Sequence, residues 1–135
     1  MAAAFLNPPS LSKPTGYSHV AVVAAGRQIH LSGQVALAAD GSLAGENDLE
    51  AQTEQVYQNV KAGLAAAGAD FTRVFKVVTY VVGLDADKAA IVRRVRTKHL
   101  GDGPFPASTM VGVTALVDPR LLIEIEVIAA LDGAP

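Results

Sequence analysis

The stretch PFPASTMVGVTALVDPRLLIEIEVIAA, residues 104–130, decides how the rest of the chain is read. β-Branched residues dominate 107–116 and 121–130, and Val117-Asp118-Pro119-Arg120 between them carries turn chemistry, so two strands joined by a turn are expected. In the second strand a period of two sends Ile123, Ile125, Val127 and Ala129 to one face, and Glu124, Glu126 and Ile128 to the other. Two glutamates therefore share a face. On a half-solvated sheet this is ordinary polar-out alternation, the reading the residues alone favour. If that face instead lines a cleft or a subunit interface, a carboxylate there can hold or activate a water.

Working outward, the composition limits what such a sheet can belong to. A chain of 135 residues forms one domain with a real core. Half of the residues are hydrophobic but only 5% are aromatic, so the core is built from Val, Ala, Leu and Ile. With a mean hydropathy of +0.31, part of the surface is expected to be covered by copies of the same chain. A net charge of -2 and a pI near 5.8 give no basic field for capturing nucleic acid or an anionic membrane. The absence of cysteine excludes disulfides, a thiol nucleophile and cysteine-bound metal. His19, His30 and His99 lack the spacing of a zinc site. The start of the chain has no basic region followed by a long apolar run, and a soluble cytoplasmic protein is the expectation.

Toward the N-terminus, residues 1–16 hold Pro8, Pro9 and Pro14, which remove amide donors, and are expected to form an arm without regular structure; residues 17–135 form the domain. Residues 17–25 and 27–32 read as a hairpin around Gly26, with His19 and His30 able to face each other across it. Asn47 or Asp48 caps a helix over about 49–67, whose apolar stripe is Val56, Val60, Leu64 and Ala67, with Gly63 allowing close approach to the sheet. The run RVFKVVTYVV, residues 73–82, is the most β-rich and is placed centrally in the sheet. A second helix over about 87–100 packs through Ile91, Val92 and Val95. Its Lys88, Arg93, Arg94, Arg96, Lys98 and His99 read as a solvated basic face. The order β-β-α-β-α-β-β places the chain in the α+β class, with both helices on one face of one sheet. The other face has no covering layer in the chain, and self-association is the simplest way to cover it.

No motif for nucleotide binding, no G-x-S-x-G elbow and no Ser-His-Asp spacing occurs. Ser108 and Thr109 sit at a strand start, where hydroxyls more often satisfy neighbouring backbone groups than attack substrates. Taken alone, the residues lead to a small α+β oligomer with an interfacial pocket.

Five segments in register carry more. Tyr17-Ser18-His19, Leu31-Ser32-Gly33-Gln34, Ala51-Gln52-Thr53-Glu54-Gln55-Val56, Phe105-Pro106-Ala107-Ser108-Thr109 and Ile123-Glu124-Ile125-Glu126 resemble, in order and spacing, the RidA/YjgF (Rid) family. The resemblance covers about residues 16–130. It implies a chorismate-mutase-like fold, a homotrimer with three intersubunit pockets, and hydrolysis of reactive imines or enamines without a cofactor. Carried over residue by residue, it implies that Glu124 positions the attacking water. Tyr17 and Ser32 would line the pocket, and the backbone at Gly33 and Met110 would hold the ligand.

The chain departs from the pattern at one position. Where the well-studied branch of the family clamps the substrate carboxylate with an arginine, this chain has Ser108, followed by Thr109. Arg120 or an arginine of the second helix is a candidate replacement. The resemblance thus implies a changed substrate class, with Ser108, Thr109 and Tyr17 contacting the ligand. A non-catalytic metabolite-binding or protein-interacting trimer is the alternative. An RNA-cleaving or translation-inhibiting protein is a third reading, which the acidic pI and the lack of an aromatic platform disfavour.

Overall fold

In the computed structural model, which describes residues 3–24 and 26–132, the two strands richest in β-branched residues lie at the centre of the main sheet. The elements are β1 (Ala3–Leu6), β2 (Val20–Val23), β3 (Arg27–His30), α1 (Leu49–Ala66), a 3-10 turn (Phe71–Arg73), β4 (Val74–Val82), α2 (Ala86–Leu100), β5 (Ala107–Val113) and β6 (Ile123–Leu131). The main sheet has the order β3-β6-β4-β5. β6 runs antiparallel to both β3 and β4, whereas β5 is parallel to β4. A parallel neighbour needs a long crossover, and α2 supplies it.

Both helices cover one face of this sheet. Ile123, Ile125, Val127 and Ala129 of β6 and Val74, Val77 and Val81 of β4 pack beneath Val56, Tyr57, Val60 and Leu64 of α1 and Val92 and Val95 of α2. On the opposite face Glu124 stands beside Tyr80, Glu126 beside Val78 and Ile128 beside Lys76, and none of these six is fully buried. The alternation read from the sequence is therefore the alternation in the fold, and the second face lacks a covering layer among the described residues. Among these residues, no helix is long and apolar enough to cross a membrane.

Asp48 caps α1, its carboxylate accepting from the Ala51 amide at 3.0 Å. Gly63 fits its expected role, because a Cβ there would stand 2.7 Å from Leu31 Cδ2. Ala67, assigned to the apolar stripe, is exposed at the helix end.

Three expectations are corrected. Residues 1–16 are not wholly irregular: Ala3–Leu6 precedes the prolines, keeps its amide donors and pairs with β2 in a two-stranded ribbon. Residues 17–25 and 27–32 do not form a hairpin, since β2 pairs with β1 and β3 with β6, and the expected end of the first strand at Ala25 lies outside the described residues. His19 and His30 consequently do not meet. The His19 ring donates to the Ser12 carbonyl at 2.7 Å, and His30 contacts the Gln28 side chain at 2.9 Å. Lastly, β5 and β6 are joined by a turn but are not neighbours, because β4 lies between them. In each case a period of two marks a strand without naming its partner.

Gln52, in the first turns of α1, ties these parts together. It has no exposed surface, and its amide donates to the carbonyls of Gly45 at 3.1 Å and Arg120 at 2.9 Å while its oxygen accepts from Leu122 N–H at 2.8 Å. One side chain thereby sets both the entry to α1 and the entry to β6. Gln52→Leu keeps the volume but leaves three partly buried backbone groups without this partner. We expect it to lower the unfolding free energy by about 3 kcal/mol, read by chemical denaturation.

Candidate functional site

The edge of β5 is extended by the segment that precedes β2. Ser18 N–H donates to the Pro106 carbonyl at 3.0 Å and Ser18 bridges Ala107 in parallel fashion, which sets Tyr17 close to Ser108. Along β5, Ser108 lies opposite Val77 and Met110 opposite Thr79, both buried on the helix side of β4. Ser108 and Met110 therefore face α2. Together with Thr15, Tyr17, Arg93 and Arg96 they line a cavity of about 200 Å³.

Arg96 is the side chain that the sequence reading misplaced. The solvated basic face holds for Arg93, Arg94 and Lys98, but Arg96 is only 8% exposed, and His99 stacks on Tyr57 with ring centroids 5.0 Å apart. Its position one turn after Val92 and two turns after Ala89 puts Arg96 on the buried stripe, and that spacing was the available signal. Gly16 makes room for it: a Cβ at Gly16 would lie 2.6 Å from Arg96 Nη2, and the backbone there has φ +75. Burial pushes the Arg96 guanidinium below its ordinary range, and neighbouring Arg93 adds to that, against an opposing effect of Tyr57. It nevertheless stays protonated at neutral pH.

Arg120 is placed elsewhere. It forms a two-pronged ion pair with Asp118 in the turn before β6, Nη2 to Oδ2 at 2.9 Å and Nε to Oδ1 at 3.1 Å. Its hydrogen bonds bring the Asp118 carboxyl down to about 2. Of the two candidate sources of a replacement arginine, only α2 reaches the cavity beside Ser108.

Glu124 lies on the other side of the sheet. It projects from the uncovered face against Gly33, where a Cβ would come 2.3 Å from its Oε1. The missing Cβ leaves room for this approach. Around it the pairing of β3 with β6 is irregular: His30 lies opposite Ile128 and Gln34 opposite Ile125, so four residues advance against three, and exposed Ser32 and Gly33 occupy the bulge. The two glutamates of the strand differ. Glu126 accepts a 2.6 Å hydrogen bond from the Tyr80 hydroxyl, which raises the Tyr80 pKa, whereas the Glu124 carboxylate has no hydrogen-bond partner among the described residues.

The expected site residues thus fall into two groups within one chain. Tyr17, Ser108 and Met110 line the cavity with Arg93 and Arg96. Glu124, Gly33 and Ser32 form the second group, and Thr109 points toward their side of the sheet, its hydroxyl 3.3 Å from Lys76 Nζ. Among the described residues no three His, Asp or Glu side chains are close enough together to hold a metal ion.

Comparison with known proteins agrees with this arrangement of elements. The family model described as Endoribonuclease L-PSP matches residues 10–131. Protein DfrA of Myxococcus xanthus is 37% identical over 114 residues, 84% of this chain and 83% of that protein. Among solved structures, the Rid-family protein YyfB of Yersinia pestis is 42% identical with a TM-score of 0.89, covering 97% of this chain and 100% of that one. RidA of an Antarctic Psychrobacter is 30% identical with a TM-score of 0.70, over 89% of this chain and 92% of its own. With the five motifs in register and the fold and family model in agreement over nearly its whole length, the chain belongs to the Rid (RidA/YjgF) family.

Proposed function

We propose that this protein hydrolyses a small reactive imine or enamine to a carbonyl compound and ammonia, in a pocket that two copies of the chain build together. The observation that carries the reading is the difference between the two glutamates. Glu126 is engaged by Tyr80, while Glu124 lies against Gly33 and keeps both carboxylate oxygens available. A carboxylate with no competing partner suits a water-activating base.

One chain does not bring Glu124 to the cavity of Tyr17, Ser108 and Met110, since the sheet separates them. The uncovered face that carries Glu124 also needs a partner, with Val111 on its edge strand 39% exposed. Packing of copies on this face meets both needs, and a closed homotrimer is the assembly we propose.

In the reaction, Glu124 takes a proton from water as the oxygen adds to the imine carbon and passes that proton to the imine nitrogen. The resulting carbinolamine loses its nitrogen as ammonia, and the carbonyl compound remains. An enamine first takes a proton at carbon to become the imine. No redox step is involved: as the C–N bond breaks and C=O forms, Glu124 takes the hydroxyl proton of the carbinolamine and hands it to the departing nitrogen.

Generating imino acids in situ with an amino-acid oxidase and following their loss above a buffer control tests the reading. Glu124→Gln is expected to reduce the rate by about 100-fold or more, the usual scale for a lost general base, with Glu126→Gln retaining most of it. No acceleration by the wild-type protein across a panel of imino acids would leave the alternative, a non-catalytic metabolite-binding trimer. Sedimentation equilibrium should give three times the 13.9 kDa chain mass, and a monomer at micromolar concentration would sink the shared pocket.

A further inference from the structure

The cavity beside Ser108 contains an imbalance of charge. Arg93 and Arg96 lie one helical turn apart on α2, and the other lining residues are Thr15, Tyr17, Ser108 and Met110, with no carboxylate among them. Arg96 is more than nine-tenths buried, yet among the described residues it has neither a salt-bridge nor a hydrogen-bond partner. Buried Gln52 and Thr53 are partnered, Gln52 spending its amide on three backbone groups and Thr53 donating to the Leu49 carbonyl at 2.7 Å, whereas the buried Tyr57 hydroxyl, like Arg96, has no partner among the described residues. A buried cation without a counter-charge is strongly unfavourable, and two like charges a turn apart add to the strain.

Nothing in the immediate packing relieves this. Tyr57, buried next to Arg96, keeps its hydroxyl proton because burial raises its pKa, so it offers no anion. Glu54, on the neighbouring helix, is taken by His99 at 3.0 Å and Lys98 at 3.4 Å. Glu50 is taken by Arg94 at 3.1 Å. Among the described residues no carboxylate pairs with Arg96, and the cavity it lines is where a negative charge from outside can reach it.

We infer that Arg96 and Arg93 form the anion-recognition site of this protein, and that its occupant is a small organic dianion, a dicarboxylic acid in the case the proposed hydrolysis can use. Two guanidinium groups give two planar forks, each able to hold one carboxylate, whereas a single carboxylate leaves one cation uncompensated. The hydroxyls of Thr15, Tyr17 and Ser108 supply further donors. Ser108, too short to replace an arginine, leaves the space into which α2 delivers its charge. The substrate assignment rests on the hydrolytic reading of the site; the anion site itself does not.

Binding of two non-reactive acids of equal chain length, succinate and butanoate, measured by calorimetry on the full-length protein at low salt, tests the inference independently of turnover. Succinate is expected to bind about tenfold more tightly or better than butanoate, a margin set by one charge-assisted contact. Arg96→Gln should abolish that preference, and Arg93→Gln should weaken it. Arg96→Lys, which keeps the charge without the fork, should restore part of it and serves if the glutamine variant does not fold by circular dichroism. Equal affinity for the two acids, no detectable succinate binding, or a preference that survives Arg96→Gln would overturn the assignment; the second result is also what a carboxylate from another subunit on Arg96 would produce. If succinate is preferred but no imino acid is hydrolysed, the hydrolytic reading fails and the anion site stands. If imino acids are hydrolysed without such a preference, the reverse holds.

Discussion

The pairing of β4 with β6 is the constraint on which the rest of the molecule depends. Seven residue pairs from Val74↔Ala129 to Val81↔Ile123 hold the two strands together, and both strands alternate in the same phase. One side of the pair is therefore apolar and lies beneath α1 and α2, and the other carries Tyr80, Glu124 and Glu126. A slip of one residue would bury the glutamates and expose four core side chains, so the register is fixed by the hydrophobic effect rather than by any single bond.

From that pair the two halves of the site diverge. β5 lies on the far edge of β4 and turns Ser108 and Met110 toward α2, which brings them to Arg93 and Arg96. β3 lies on the far edge of β6, and its continuation bulges at Ser32-Gly33, which lets Glu124 lie against the backbone. The sheet that gives each group its rigidity is also what keeps them apart in one chain. A pocket using both therefore needs a second copy, and the lack of a covering layer on the Glu124 face among the described residues gives the chain a reason to associate.

Ser108 on β5 does not leave its cavity without positive charge. The α2 helix approaches the same cavity from the opposite wall, with Gly16 cleared for Arg96. Moving a guanidinium from a strand to a helix changes its direction of approach and its neighbours, and with them the shape and charge of the anion that fits best.

The sequence by itself determined the elements and their faces. A period of two in 123–129 separated the glutamates from the core, the β-rich run at 73–82 belonged in the middle of the sheet, and Asp48 and Gly63 announced a cap and a close approach. These are local properties, set by side-chain direction and hydrogen-bonding capacity within a few residues. Which strand pairs with which was decided only in three dimensions. β2 joined β1 instead of β3, and β4 inserted between β5 and β6, because alternation is the same whatever the neighbour. The roles of similar residues were decided there too. Glu126 met Tyr80 and Glu124 did not, Arg120 met Asp118, and Arg96 was carried into the interior by a helix whose other cations remained in water. Charge and residue type are written in the chain, but whether a charge finds a partner depends on what long-range packing sets beside it.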